Sequence, residues 1–344
     1  MTTSSLSMSA IGFYRHSVLS DADCLIGIEL PRPLPGPHDV LVAVQAVSVN
    51  PVDTKIRVGL VSVPDSVNIL GWDAAGIVEE VGECVTLFKP GQQVYYAGTF
   101  NRSGSNAQFH LVDERIVGHM PETLSFGGAA ALPLTSLTAW QLLFERLGVV
   151  PGKPAGAGSL LVLGGAGGVG SMLIQLARRL TGLTVIATAS HQASRDWCLA
   201  LGAHHVIDHR QPLPEQIKAL AIPPVNNIAA LSHTAVHLLE LAEIITPHGQ
   251  IAIIDDHDSL DITPFKVKSV SVHWEMVFTR PLLGTADLIV QHQILNEVAA
   301  LVDSGVLRST VSHTLSPFNA AQLIEAHRLV EAGGSPGKVV VARG

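Results

Sequence analysis

The chain has 344 residues, 47% of them apolar and 15% charged, with 21 Lys and Arg against 29 Asp and Glu for a net charge of −8. Globular domains carry roughly 25% charged residues, so this balance excludes a long disordered chain, and the acidic sum leaves no basic footprint for nucleic acid. No apolar run reaches the roughly 18 residues of a membrane-spanning helix, and the three cysteines, Cys24, Cys84 and Cys198, form neither a disulfide framework nor a CxxC pair.

At roughly 150 residues per domain, the length predicts two domains. Met1 to Ser9 is rich in Ser and Thr and lacks the basic start and apolar core of a secretory signal. It reads as a frayed leader, with Met8 as a second candidate start, and the C-terminal residues 339–344 match no lipidation or retention motif. A cytoplasmic protein is the expectation.

Residues 10 to about 120 hold short β-like runs, among them Val40 to Val49, Ala75 to Val81 and Gln93 to Tyr96. Turn residues separate them, at Pro31 to Pro37 and Lys89-Pro90-Gly91, which predicts a β-rich domain. Phe126 to Leu147 reads as helix with a break at Pro133, and Pro151 to Ser159 as a connector. Strands and helices then alternate. Leu160 to Leu163, Thr184 to Thr188, Val206-Ile207, Ile228 to Leu231 and Ile251 to Ile254 read as strands. Val169 to Leu180, Ala193 to Leu201 and His233 to Ile245 read as helices, the second stopped by Gly202. This alternation predicts an α/β domain, a doubly wound parallel sheet covered by helices. Val270 to Val277 is a candidate sixth strand. Two helices, Ala286 to Ser304 and Ala320 to Ala332, and a last strand at Lys338 to Val341 follow.

The strongest local signal runs Leu163-Gly164-Gly165-Ala166-Gly167-Gly168-Val169-Gly170, a GxGxxG between a strand and a helix. Glycine lets the backbone turn sharply and approach a pyrophosphate, and the helix N-terminus at Val169 offers free N–H groups. Gly165, Gly167, Gly168, Val169 and Gly170 are therefore candidate cofactor-binding residues. The alternative is a tight turn with no ligand. An NAD site places Asp or Glu about 20 residues on, at the ribose 2′-hydroxyl. Here the second strand ends Ala187-Thr188-Ala189-Ser190-His191, without a carboxylate. Ser190 and Arg195 suit a 2′-phosphate, so NADP(H) is favoured over NAD(H). His209 is a third candidate there, or a plain loop residue.

These pieces resemble the medium-chain dehydrogenase/reductase superfamily. The resemblance rests on Gly71-Trp72-Asp73-Ala74-Ala75-Gly76, on the glycine loop, and on three further stretches similar to its quinone oxidoreductase branch: Ser48 to Thr54, Leu132 to Trp140 and Gly337-Lys338-Val339-Val340. It covers nearly the whole chain. It implies a GroES-like β-rich catalytic domain at residues 1–126 and 279–344 and a Rossmann NADP(H)-binding domain at 127–278. It also implies a homodimer, with a strand near Val270 to Met276 pairing across the two-fold and covering an exposed edge. Zinc alcohol dehydrogenases of this superfamily ligate catalytic zinc through a Cys, the His of Gly-His-Glu, and a third Cys, Asp or Glu. Asn50 stands in place of the first, Trp72 in place of the His, and Pro133-Leu134 near the third. Zinc needs thiolate, imidazole or carboxylate, so no metal is predicted.

Without a Lewis acid to polarise an alcohol, a conjugated acceptor is the better substrate. The expectation is a zinc-independent NADPH-dependent oxidoreductase acting on a quinone or α,β-unsaturated carbonyl. Alternatives are a reductase of simple aldehydes or ketones, and a non-catalytic NADPH-binding protein of crystallin-like or regulatory kind. The partner is a small molecule; membrane and nucleic acid are not expected. The resemblance makes Asn50 a candidate to hydrogen-bond the substrate oxygen or a nicotinamide-ribose hydroxyl. Lys55 stands where relatives carry Tyr, and reads as a desolvated proton donor or an exposed lysine. Trp72 reads as a wall of the site or as core, as does Trp274. Thr135 and Thr138 fall near the nicotinamide carboxamide, and Lys338 reads as reaching the cofactor or as a surface lysine.

Overall fold

The computed structural model describes residues 7–60, 66–154 and 156–343. The expected leader is shorter than the sequence suggests. Ser7, Met8 and Ser9 already belong to a strand, while residues 1–6 lie outside the described residues, as do 61–65. The chain divides into two compact units, one of residues 1–134, 278–333 and 338–344, the other of 135–277 and 334–337.

The first unit begins with β1 (Ser7–Gly12) and β2 (Ile26–Pro31), an antiparallel pair. The long β3 (Asp39–Val49) follows, with Val at 40, 42, 44, 47 and 49, β-branched residues that suit a pleated buried surface. A helix the sequence reading did not anticipate, α1 (Pro51–Val58), starts directly from β3. Pro51 at its first position lacks an N–H that the helix has no use for, and Asp53 accepts the Asn50 N–H at 2.8 Å. Next come β4 (Ala74–Val81), β5 (Gln93–Tyr96), β6 (Phe109–Asp113), β7 (Val117–His119) and α2 (Phe126–Ala130), the last capped by Ser125 accepting the Gly128 N–H.

The expected helix over 126–147 is three pieces. After α2 ends, α3 (Pro133–Trp140) restarts at the proline and runs into a π-helical turn at Gln141–Arg146. The second unit continues with β8 (Ser159–Leu163), α4 (Gly168–Leu180), β9 (Thr184–Thr188), α5 (Gln192–Leu201), β10 (His205–Ile207), α6 (Leu213–Ala219), β11 (Val225–Ala230), α7 (Thr234–Ile244), β12 (Gln250–Ile253) and β13 (Ser271–Trp274). These strands form a parallel sheet in the order β10-β9-β8-β11-β12-β13. That is the order of a Rossmann fold, whose ligands sit at the carboxyl ends of the strands where the winding reverses, here between β8 and β11. Leu161, Leu163, Ile228, Ile251, Ile253 and Phe265 are buried together as its core.

The chain returns to the first unit through α8 (Thr279–Leu283), α9 (Val290–Asp303), β14 (Val311–Leu315), α10 (Ala320–Ala332) and β15 (Lys338–Ala342). The α9 helix starts four residues later than its pattern suggests, because Asp287 is drawn into a turn by Thr285 Oγ1 at 2.6 Å and Arg280 Nε at 2.9 Å. The seven-stranded sheet runs β14-β15-β3-β4-β5-β7, with β6 also paired to β3. This is the GroES-like part of the α/β architecture.

One charged cluster fixes α1 against α10. Arg57 is fully buried and donates Nη1 to Ser17 O, Nη2 to Glu331 Oε1 and Nε to His327 Nδ1. Breaking a buried ion pair from one side leaves desolvated partners unmet. We expect Arg57→Met to lower stability by about 2–3 kcal/mol, below the full buried-pair value because Glu331 is partly exposed and regains water. Urea unfolding of the variant measures it; an unchanged midpoint contradicts this account.

Candidate active site

Two sets of residues carry the chemistry, one in each unit. In the second unit, Gly164 turns at a φ of +83° and donates its N–H to Thr188 Oγ1 at 3.0 Å. Gly165 N–H follows onto Thr188 O at 3.1 Å, which ties the loop to the end of β9. A Cβ on Gly170 would lie 2.5 Å from Gly165 O and 2.6 Å from Gly164 O, so only glycine allows the helix to start this close to the turn. Gly167 is the N-cap and offers no side chain, and the first helical bond is Ser171 N–H to Gly167 O at 2.8 Å. The N–H groups of Gly168, Val169 and Gly170 precede that bond and are the orphan donors of a helix N-terminus. Ala166 O is held by Gly337 N–H at 2.9 Å and Ser171 Oγ at 3.3 Å, so the cradle is braced before any ligand arrives.

The residues expected around the cofactor's adenosine end are close in the fold but differently occupied. Arg195 donates Nη2 to Val206 O at 3.0 Å, toward β10. Ser190 O instead accepts from Arg210 Nη2 at 2.6 Å, a residue the sequence reading passed over. His209 is half-buried, its ring centroid 6.4 Å from that of His237; burial first, and His237, His233 and Arg210 besides, pull its pKa down against the opposing pull of Asp208. Thr135 and Thr138 are both buried on α3.

In the first unit a buried polar network joins four chain segments. Asn50 donates Nδ2 to Asp73 Oδ2 at 2.8 Å, and its Oδ1 accepts from Lys338 Nζ. Lys338 also donates to Val49 O at 2.9 Å and lies 3.2 Å from Asp73 Oδ2. Asp73 Oδ1 accepts the Leu134 N–H at 2.7 Å. Asp53 accepts the N–H groups of Asn50 at 2.8 Å and Gly71 at 3.0 Å, bracing two loops. Gly71 is at φ +116°, and a Cβ there would meet Ser105 Oγ at 2.6 Å. The side chains of Asn50, Asp53, Asp73 and Lys338 are all buried. Burial drives the Asp53 carboxyl up to about 7, pushes Asp73 up, and pulls Lys338 down, the ammonium and carboxylates each resisting the shift in the other.

Lys338 therefore faces inward, engaged by Asn50, Val49 and Asp73, so it is not a surface residue. Lys55 is exposed on α1, so the desolvation that would make it a proton donor is lacking. Trp72 is buried, and its Nε1 has no hydrogen-bond partner among the described residues. Trp274 is 57% exposed on the edge strand β13, so it is not core.

Comparison with known proteins places these features. Residues 36–136 match the alcohol dehydrogenase GroES-like domain and residues 201–341 the zinc-binding dehydrogenase domain. A zinc-type alcohol dehydrogenase-like protein of Staphylococcus aureus is 38% identical over 97% of this chain and 99% of its own. A crystal structure from Rhizobium etli, named a "putative zinc-dependent alcohol dehydrogenase protein", superposes with a TM-score of 0.94 at 51% identity, covering 98% of each chain. The rat quinone oxidoreductase is 28% identical over 90% of both chains. The chain belongs to the medium-chain dehydrogenase/reductase superfamily. It is an oxidoreductase of that family.

Catalytic zinc in this family does not fit the residues present here. Asn50 is a neutral amide with both ends engaged, and the Trp72 indole has no lone pair to give a metal. Among the described residues no group of three or more His, Cys, Asp and Glu is arranged to hold a metal ion.

The network makes a test possible. Lys338→Met leaves Asp53 and Asp73 facing each other without a cation, and we expect a loss of about 3–5 kcal/mol near pH 8. Both carboxyls already sit above their unfolded value and would rise further. The folded state then holds more protons than the unfolded one across the window from about pH 4 upward, so stability falls as pH rises. The deficit against wild type should shrink at pH 5, read from urea unfolding at both pH values. An equal deficit at both would show that the lost interaction is not electrostatic.

Proposed function

We propose that this chain is a zinc-independent, NADPH-dependent oxidoreductase that reduces a quinone or an α,β-unsaturated carbonyl, acting as a cytoplasmic homodimer. The observation that carries the reading is the fate of the family's zinc positions. Asn50 and Trp72 occupy them, and Asn50 is locked to Asp73 and Lys338. Such a centre has no donor set to activate an alcohol oxygen. A conjugated acceptor spreads incoming negative charge over its own π-system and asks less of the protein, namely orientation, dryness and hydrogen bonds. The rat relative's name, quinone oxidoreductase, agrees with that chemistry.

When bound, the nicotinamide supplies the hydride. The chain's own part is to hold and orient. The N–H groups of Gly168, Val169 and Gly170 take the pyrophosphate at the start of α4. The end of β9 lacks a carboxylate for a ribose hydroxyl, which favours a 2′-phosphate at that strand end, near Ser190 and His209. Thr135 and Thr138 serve the carboxamide of the nicotinamide. Asn50, whose Nδ2 is taken by Asp73 and the Ser48 and Trp72 carbonyls, serves a ribose hydroxyl through the second lone pair of its Oδ1. Lys338 and Asp73 are positioning residues, fixing the rotamer of the Asn50 amide so that its orientation is set before substrate binds. The acceptor's proton comes from solvent. The exposed Trp274 and Met276, at and just beyond the edge strand β13, supply apolar surface for the two-fold contact.

The test is NADPH consumption, followed by absorbance, with an ortho-quinone, a 2-alkenal and a saturated aldehyde, all in EDTA and with NADH in parallel. We expect turnover of a conjugated acceptor, unaffected by EDTA and faster with NADPH. Activity confined to the saturated aldehyde and lost in EDTA would make this a zinc enzyme. Tight NADPH binding with no turnover of any acceptor would make it a non-catalytic binding protein.

A further inference from the structure

In a dinucleotide fold the residue at the end of the second strand faces the adenosine ribose. Here that strand is β9, and the cationic side chain hydrogen-bonded to its end comes from the neighbouring strand's loop. Arg210, three residues beyond β10, reaches back and donates Nη2 to Ser190 O at 2.6 Å. Asp208 holds the same guanidinium, accepting from Nε at 3.1 Å and from Nη2 at 2.8 Å. The fork is thus fixed from two sides while Nη1 has no protein partner among the described residues, and the side chain is 57% exposed. Arg195, one turn into α5, is turned the other way, onto Val206 O of β10. His209, between Asp208 and Arg210, is held toward its neutral form by burial and by the nearby His237, His233 and Arg210.

We infer that Arg210 is the residue that distinguishes NADP(H) from NAD(H), its free guanidinium edge binding the 2′-phosphate at the end of β9, with Asp208 as the side chain that pre-positions it. The inference rests on the reading of the glycine loop as an NADP(H) site. The free Nη1 of a guanidinium gives a phosphate oxygen a charge-assisted hydrogen bond, and a side chain already fixed by Asp208 and Ser190 O loses little freedom on binding. Arg195 then acts as a strand-to-helix tie between α5 and β10.

The experiment titrates the full-length protein with NADPH by fluorescence and with NAD⁺ and NADP⁺ by competition. Wild type, Arg210→Met, Arg210→Lys and Arg195→Met are compared. We expect Arg210→Met to raise the Kd for NADP⁺ about 10- to 100-fold, the span of one lost charge-assisted pair, and to leave that for NAD⁺ within about twofold. Arg210→Lys, which keeps the charge but not the fork, should fall between. Arg195→Met should not change the ratio of the two affinities. If Arg195→Met erases the preference and Arg210→Met does not, the inference is overturned while the NADP(H) reading stands. Equal weakening toward both dinucleotides in Arg210→Met also overturns it, because the residue would then be structural. A wild type that prefers NAD⁺ removes the cofactor reading itself, and the role of Arg210 with it.

Discussion

A lysine ammonium buried in a β-sheet is the constraint around which the first unit is organised. Removing such an ion from water carries a penalty of several kcal/mol, recovered only with close opposite charge and full hydrogen bonding. Lys338 obtains both from Asp73, Asn50 and Val49 O. Its partners come from residues 49, 50 and 73, and Asp73 passes the constraint on to residue 134 through the Leu134 N–H. The pairing of β15 with β3 brings the last strand of the chain beside Val49, and the ammonium sits where that strand meets the start of α1. Asp53, in the first turn of that helix, adds a second carboxylate that secures Asn50 and Gly71 through their backbones. The result is an amide, Asn50, whose two ends cannot exchange without facing like against like. Its Oδ1 meets a donor and its Nδ2 meets an acceptor.

The second unit solves a different problem with almost no side chains. Its cradle is backbone, made by glycines at points where a turn and a helix start lie too close together to admit a Cβ. Orientation there comes from Thr188, which receives two consecutive N–H groups, and from Gly337, which pins Ala166 O. Charge is confined to the neighbouring strand ends, where Asp208 and Arg210 pair in water-accessible positions. The Arg210 side chain holds the Asp208 carboxyl down to about 2, so that pair is ionised throughout the neutral range.

The doubly wound sheet was legible because buried parallel strands read as short apolar runs and its helices carry a 3.6-residue stripe, as in Met172, Leu173 and Leu176 of α4. The glycine loop was legible because close backbone approach leaves no other residue type. Where the pattern failed, a local interaction had overridden periodicity. The α1 helix is eight residues of mixed polarity opened by a proline, too short for a stripe, and it exists because Asn50 and Asp53 cap it and Arg57 anchors it. The π-helical turn after Trp140 has no sequence mark at all. Side-chain direction was the larger loss. A lysine in a terminal strand and an arginine in a loop look alike as charges. One is buried as the centre of a network and the other stands exposed over a strand end, and only the packing of segments far apart in the chain decides which.

The same network bears on the family's metal chemistry. Exchanging Asn50 for a thiolate would not by itself recreate a zinc ligand set, because Trp72 would still fill the imidazole position with a buried indole. It would also leave Lys338 without the amide oxygen that accepts one of its hydrogen bonds and Asp73 without the Nδ2 donor. The Asp73 carboxyl there is already taken by Lys338, Asn50 and the Leu134 N–H, so it is not free to ligate a cation. The pieces are therefore coupled: exchanging the lysine leaves Asp73 without its cation, and exchanging the amide removes one of the lysine's three partners and the Nδ2 donor of Asp73. That coupling is a physical reason for the amide at residue 50 and the lysine at residue 338 to be kept together, beside a buried indole that offers a metal no lone pair.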